Sequence, residues 1–292
     1  MRIVITIPAY NEENHLGQVL TDLQRVTSSL DHDFEYQVVD DGSTDNTTLV
    51  AKKHGAKVYS HKRNRGLAKT FVTELSKALE KKPDIIIHTD ADGQYSEDVI
   101  PALIAKIQEG YDLVLASRFL KSTRHMPLFN KLGNILFSKV LSRLTGHTLT
   151  DTTTGCRAFT AEVARDIHFT NTFTYTQEQI IRASLAGFRI AEVPVQSKRT
   201  RQSKLFKNPF QYAVRAWINT LRIYRDYAPL TFFGSIGLTL FSLGVLLGTY
   251  IVAHIIIYGS VGGIPRTILS ALLILSGMQI ILFGFLADNR RT

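Results

Sequence analysis

Ile85-Ile86-Ile87-His88-Thr89-Asp90-Ala91-Asp92-Gly93-Gln94-Tyr95 is the stretch that decides how the rest of the chain is read. Three successive β-branched apolar residues mark a strand buried on both faces, as in parallel sheets. That strand runs into two carboxylates spaced i, i+2 and then a glycine. In an open α/β sheet, ligands bind beyond the carboxyl ends of the strands, where Asp90 and Asp92 would emerge. Both acids can turn there toward one hard cation, with Gln94 supplying a further oxygen. A plain turn uses the same residue types, so the meaning of the pair depends on what the other strands deliver.

Outward from this strand, the pattern repeats. Arg2 to Pro8 reads as a first buried strand, followed by a helix from about Glu12 to Leu30 with Leu16, Val19, Leu20 and Leu23 at helical spacing. Tyr36 to Val39 is a second strand that ends in Asp40-Asp41-Gly42-Ser43-Thr44-Asp45; Ser43 or Thr44 is expected to cap a helix that stops at Gly55. Lys57 to Ser60 is a third strand, and a helix then runs to Lys82, punctuated by Pro83. Beyond the opening strand come a helix from about Glu97 to Gln108 and a fifth strand, Leu113 to Ala116, ending in Ser117-Arg118. Pro127 to Thr145 carries one apolar helical stripe, Asp151 to Phe159 is polar and irregular, Gln177 to Ala186 is helical, and Arg189 to Val195 is a strand. Strands alternating with helices of this length predict an α/β fold: a mostly parallel sheet with helices on both faces.

The chain has 292 residues, a net charge of +9 and a single cysteine, Cys156, which excludes an internal disulfide framework and fits a reducing compartment. Two apolar runs, about Leu230 to Tyr258 and Thr267 to Ala287, lack Lys and Arg and reach the roughly 20 residues needed to span a bilayer. Ser260 to Pro265 is a short turn, so a helical hairpin is expected. Basic residues crowd before the first run, at Lys198, Arg199, Arg201, Lys204, Lys207, Arg215, Arg222 and Arg225, and after the second, at Arg290 and Arg291; the connecting loop has only Arg266. The positive-inside rule therefore puts both termini and the N-terminal domain in the cytoplasm, on a plasma membrane or endoplasmic reticulum. The N-terminus has no signal-peptide pattern. From Asn208 to Asp226, Phe210, Val214, Trp217, Leu221 and Tyr224 repeat every three or four residues, as in a basic amphipathic helix lying in the lipid interface. The expected organisation is a domain over 1–205, an interface helix over 206–228 and a transmembrane hairpin over 229–292. Charge concentrated beside the spans, with no aromatic platform, argues against nucleic acid as a partner.

Three acid-bearing loops, Pro8-Ala9-Tyr10-Asn11-Glu12, Asp40-Asp41 and Asp90-Ala91-Asp92, follow strands that end at one edge of a parallel sheet. Such a concentration of carboxylates repels itself unless it binds a cation or a ligand rich in NH and OH groups. A nucleoside diphosphate with a divalent metal provides both: base and ribose for Asp40 and Glu12, pyrophosphate through a metal at Asp92. Arg63, Arg65, Lys69 and Arg118 are available to phosphate oxygens.

These segments, together with Asn64-Arg65-Gly66 and Asp90-Ala91-Asp92-Gly93-Gln94, resemble the successive motifs of family 2 glycosyltransferases with a GT-A fold. Asp151-Thr152-Thr153-Thr154-Gly155-Cys156-Arg157-Ala158-Phe159, Gly187 to Pro194 and Ser203-Lys204 are similar to the dolichol-phosphate mannose synthase branch, whose members transfer a sugar from a nucleotide donor to a polyprenyl phosphate. Thr154 and Cys156 depart from the Ser-Gly-Phe common in relatives. The resemblance implies that Pro8, Tyr10, Glu12, Val38 and Asp40 hold base and ribose, and that Asp90 and Ala91 contact the donor. It implies Mg2+ or Mn2+ at Asp92 and Gln94, with Asp90 as an additional ligand. It also implies donor or acceptor phosphates at Arg118, Arg201 and Lys204, with Lys131 a loose match for an acceptor contact. Asp90, Asp92, Arg118 and Asp151 are the expected catalytic set, Asp151 positioning the acceptor.

The chemistry expected is inverting transfer of a sugar from GDP-mannose or a UDP-hexose to a dolichyl or undecaprenyl phosphate. A phosphate monoester, with a second pKa of about 6, is largely anionic near neutral pH and needs no general base. Two competing readings are a transferase that extends a saccharide and a non-catalytic membrane protein that binds a nucleotide sugar. Processive synthases carry Gln-x-x-Arg-Trp, whereas Gln211, Arg215 and Trp217 have the wrong spacing.

Overall fold

The computed structural model describes residues 1–120, 128–167, 175–196, 218, 221–222, 224–259 and 263–289. For 128–133, 136 and 144 only the backbone is described. The chain divides into two compact units, Met1–Lys207 and Asn208–Thr292.

The first unit is built on a seven-stranded sheet in the order β3-β2-β1-β4-β6-β5-β7. The strands are β1 (Arg2–Ala9), β2 (Asp33–Asp40), β3 (Lys57–Ser60), β4 (Ile85–His88), β5 (Leu113–Ser117), β6 (Arg157–Thr160) and β7 (Ile190–Pro194). All pair in parallel except β6, which runs antiparallel to both neighbours, β4 and β5. This β6 corrects the irregular assignment of Asp151 to Phe159. An arginine at its first position and four residues of length hide it from any alternation test, and it is defined by its pairing with β4 and β5. The intervening helices are α1 (Leu16–Thr27), α2 (Thr47–Lys53), α3 (Leu67–Leu79), α4 (Ile100–Gln108), α5 (Leu128–Thr145), α6 (Ala161–Asp166) and α7 (Tyr175–Leu185). The short helix α6 also lies beyond the sequence reading, and the turn expected to open α4 is a 3-10 helix, Glu97–Val99.

Strand periodicity sorts side chains onto two faces. Ile3, Ile5, Ile7, Ile85 and Ile87 pack with Leu16, Leu20 and Leu23 of α1 and Leu103 and Ile104 of α4 in one buried cluster. The alternate residues, among them Thr6, Gln37 and His88, turn to the opposite face, where they bond to Glu74 of α3 and Tyr175 of α7. Pairing of Ala9 with Asp40 and of Thr6 with His88 brings the ends of β1, β2 and β4 to one edge.

The second unit contains two long apolar helices, Pro229–Tyr258 and Ile264–Asn289. At 30 and 26 residues they are long and apolar enough to cross a membrane. Much of their apolar surface is exposed: Ile256 is 78% and Ile264 73% exposed. The two pack through small residues: a Cβ at Gly237 would meet the Gly277 carbonyl oxygen at 2.6 Å, and one at Gly244 would meet Ile274 N at 2.8 Å. Ser270 Oγ donates to the Gly244 carbonyl at 2.8 Å. Close approach through small residues is the packing mode typical of helix pairs in lipid. Of the expected interface helix, residues 218, 221–222 and 224–227 are helical, with Ile218, Leu221, Arg222 and Arg225 exposed; Phe210, Val214 and Trp217 lie outside the described residues.

Candidate active site

The loops after β1 and β2 are knitted to each other. Asn11, in the left-handed region at φ 53°, donates its N–H to Ser43 Oγ at 2.9 Å and accepts the Thr44 N–H at 2.9 Å. Asn tolerates that backbone better than most residues. Glu12 N–H donates to Thr47 Oγ1 at 2.8 Å. Ser43 and Thr44 are thus occupied by Asn11, and contrary to expectation neither caps α2, whose cap residue is Asn46. Gly42, at φ 76°, passes so close to the next loop that a Cβ would stand 2.6 Å from the Arg63 carbonyl carbon.

The two acids of the second loop have separate tasks. Asp41 accepts the N–H groups of Arg65 and Gly66 at 2.9 and 2.8 Å and faces His61 Nδ1 at 2.7 Å. It thereby ties down the start of α3, where the first N–H groups lack helical partners. Asp40 is 2% exposed and accepts the Ser43 N–H at 3.1 Å. Glu12 is also buried, whereas Tyr10 is exposed at the rim. Pro8 and Val38 lie within β1 and β2 and are buried.

At the end of β4, Asp92 Oδ1 accepts the Gln94 N–H at 2.9 Å across Gly93, which sits at φ 67°. Asp90 has a side chain 29% exposed, with the His88 Nε2 at 4.0 Å from its Oδ1. Burial raises the Asp90 pKa, and the carboxylate of Asp92 raises it further, against the pull of His88, Arg118 and Arg157. A carboxylate such as Asp90, whose ionisation the neighbouring Asp92 opposes, fits a site for a divalent cation, which would offset that repulsion. Among the described residues no group of three His, Cys, Asp or Glu side chains forms a complete cage. Magnesium-type sites commonly use one or two carboxylates and take their remaining oxygens from phosphates and water.

Arg118, beyond β5, forms the positive centre beside these acids. It is 8% exposed and grips Asp151 through two bonds, Nε to Oδ2 at 2.7 Å and Nη2 to Oδ1 at 2.9 Å. Its guanidinium lies 5.8 Å from the centre of the Tyr95 ring. Burial works against the charge on Arg118, but Tyr95 and Asp151 hold its pKa above the ordinary value. Burial pushes the Asp151 carboxyl upward, and Arg118 overrides it, holding that carboxyl below its usual range. Asn134 of α5 donates to Asp151 Oδ1 and Thr153 Oγ1 at 3.2 and 2.7 Å. Glu192 on β7 fixes the turn from below, accepting the N–H groups of Thr150 and Asp151 at 2.9 Å and the Thr150 hydroxyl at 2.6 Å.

The structure thus brings Asp90, Arg118 and Asp151 into one electrostatic cluster. It adds residues the sequence reading did not assign: Tyr95, Asn134, Arg157 and Glu192. Arg157 is fully buried and donates to the Thr176 carbonyl and Gln179 Oε1, each at 3.1 Å, and to the Thr154 carbonyl. Only its position beside Gly155 in the polar stretch hinted at it. Arg201 and Lys204 lie outside the described residues, and the Lys131 side chain is likewise not described.

Residues 4–168 match the family model described as Glycosyl transferase family 2. A dolichyl-phosphate hexose transferase of Haloferax volcanii is 36% identical over 211 residues, covering 71% of this chain and 87% of that protein. An undecaprenyl-phosphate 4-deoxy-4-formamido-L-arabinose transferase of Shewanella sediminis is 28% identical over 98% of this chain and 86% of its own length. The fold is similar to that of glucosyl-3-phosphoglycerate synthase from Mycobacterium tuberculosis, solved with Mn2+ and UDP-glucose. That likeness has a TM-score of 0.59 and 20% identity, and covers 77% of this chain and 78% of that one. The chain belongs to glycosyltransferase family 2, and its N-terminal unit has the GT-A architecture.

Proposed function

We propose that this glycosyltransferase moves a hexose from a nucleotide sugar, GDP-mannose or a UDP-hexose, to a polyprenyl phosphate at the cytoplasmic face of a membrane, with inversion at the anomeric carbon. The observation that carries this reading is the convergence of the β1, β2 and β4 loops at one sheet edge, with the Arg118–Asp151 pair beside Asp90. The two relatives named for transfer to dolichyl and undecaprenyl phosphate support the lipid acceptor.

In this reading Pro8, Tyr10, Glu12, Val38 and Asp40 receive the nucleoside, and Asp90 and Ala91 contact the donor. Asp92 and Gln94, with Asp90, hold Mg2+ or Mn2+; the ion's contribution is to neutralise charge on the departing nucleoside diphosphate. Arg118, fixed by Asp151, presents a preorganised cation to phosphate oxygens in a desolvated site, where such charge needs no reorganisation during transfer. The acceptor phosphate brings its own nucleophilic oxygen, so no side chain has to remove a proton from it. Arg201, Lys204 and Lys131 are assigned to phosphate contacts. Arg222 and Arg225, before the first apolar helix, keep that end in the cytoplasm.

Purified full-length protein in detergent with Mn2+, offered labelled GDP-mannose, UDP-glucose and UDP-N-acetylglucosamine with and without polyprenyl phosphate, tests this directly. Label that enters the organic phase only when the lipid phosphate is present supports the reading. Label entering only saccharides contradicts it.

A further inference from the structure

A chain of ionisable and polar side chains, none of them assigned to donor or acceptor, lies in the dry layer between the sheet and α3 and α7. Its centre is His88, the last residue of β4, with no exposed surface. Nδ1 of its ring meets Glu74 Oε2 at 2.7 Å and Nε2 meets the Tyr175 hydroxyl at 2.8 Å. Glu74 Oε2 also accepts the Thr6 hydroxyl at 3.0 Å, and Gln37 Nε2 reaches both Thr6 Oγ1 at 3.0 Å and the Glu74 carbonyl at 2.8 Å. Phe71 closes the ring from the side, edge-on to His88 at 5.0 Å and stacked on Tyr175 at 4.2 Å.

Stability does not account for such a chain. Burying ionisable groups is expensive, and apolar residues of similar volume commonly serve as well or better. Here two acceptors, Glu74 Oε1 and Gln37 Oε1, have no hydrogen-bond partner among the described residues. A partly satisfied polar network is a weak stabiliser. What the chain does achieve is immobilisation, because both ring nitrogens of His88 are held, one from α3 and one from α7, and the imidazole cannot turn. The same Nε2 lies 4.0 Å from Asp90 Oδ1, two residues further along the backbone.

We propose that Glu74, His88 and Tyr175 form a positioning strut that sets the location of the Asp90 carboxylate for metal and donor. The inference rests on the functional reading above. His88 underlies Asp90, and Glu74 and Tyr175 determine where His88 stands. Outer residues that orient a ligand in this way typically alter metal affinity by about 10–100-fold when removed. Tyr175 thereby links α7 to the metal loop without touching substrate.

The test is Mn2+ binding by the full chain in the presence of UDP or GDP, measured by the loss of the free-ion electron paramagnetic resonance signal, with thermal midpoints recorded in parallel. Tyr175→Phe removes one hydroxyl and keeps the ring stack; its Mn2+ affinity is expected to fall about tenfold. Glu74→Gln, which still accepts from His88, is expected to lose less. Leu103→Val, on the opposite face of the sheet, serves as the control for destabilisation alone and is expected to bind Mn2+ as the wild type does. Unchanged affinity in Tyr175→Phe, or equal loss in Leu103→Val, overturns the strut. Absence of Mn2+ binding by the wild type overturns the metal-dependent reading itself, and the strut with it.

Discussion

The backbone of Gly155 lies directly against the carboxylate of Asp90: a Cβ on Gly155 would fall well inside contact distance of Oδ2 and 2.7 Å from Cγ. The Gly155 N–H is held in place by the Tyr95 hydroxyl at 2.8 Å, so the glycine cannot retreat without losing that bond. Gly155→Ala should therefore displace the short Asp90 side chain and leave the sheet intact. The expected result is a thermal midpoint close to wild type and a loss of transfer activity of about 100-fold, the scale of a misplacement near 1 Å.

The buried pair Arg118–Asp151 makes a stability prediction with a defined pH dependence. Asp151→Asn leaves Arg118 without its carboxylate and should cost about 3–5 kcal/mol at neutral pH, measured by denaturant unfolding. Because the folded-state pKa of Asp151 is depressed, the stabilisation is fully present above the unfolded carboxyl value of about 3.9. It is lost as pH falls toward the folded value, so wild type and variant should converge only below about pH 4. A deficit constant down to lower pH would contradict this account.

Glu192 accepts three hydrogen bonds from the Thr150–Asp151 turn. Glu192→Ala strands those donors and should lower stability by about 3 kcal/mol, with Glu192→Gln recovering part because its amide oxygen still accepts. Thermal unfolding of the two variants beside wild type checks the order.

In the apolar pair of helices, a Cβ at Gly277 would stand 2.6 Å from Phe241 N. Gly277→Leu should force the helices apart and lower the temperature at which the detergent-solubilised protein aggregates. An unchanged aggregation temperature would contradict the packing described.

Much of this arrangement was legible in the sequence, and the reasons are local. Triple isoleucine followed by Asp90 and Asp92 marks a buried strand and the edge at which it ends, and Leu16, Val19, Leu20 and Leu23 mark one buried helix face. The antiparallel β6 was not legible, because Arg157 in a strand is tolerated only where Thr176, Gln179 and Thr154 receive its donors. Nor was the division of labour between Asp40 and Asp41, which depends on the loop carrying Arg65 and Gly66, more than twenty residues away. Glu74 did leave a trace, falling on the Phe71–Leu75–Ala78 stripe of α3, where a carboxylate signals a buried partner; the partner itself, His88, follows only from the fold.

The most direct test of the central claim is a paired assay of wild type and Asp92→Ala, both inserted in membranes, measuring labelled hexose transferred from a nucleotide sugar to polyprenyl phosphate in the presence of Mn2+. The account predicts a lipid-linked product from wild type and none from the variant, at equal membrane content. Equal product from both would contradict the role given to the Asp90–Asp92 loop.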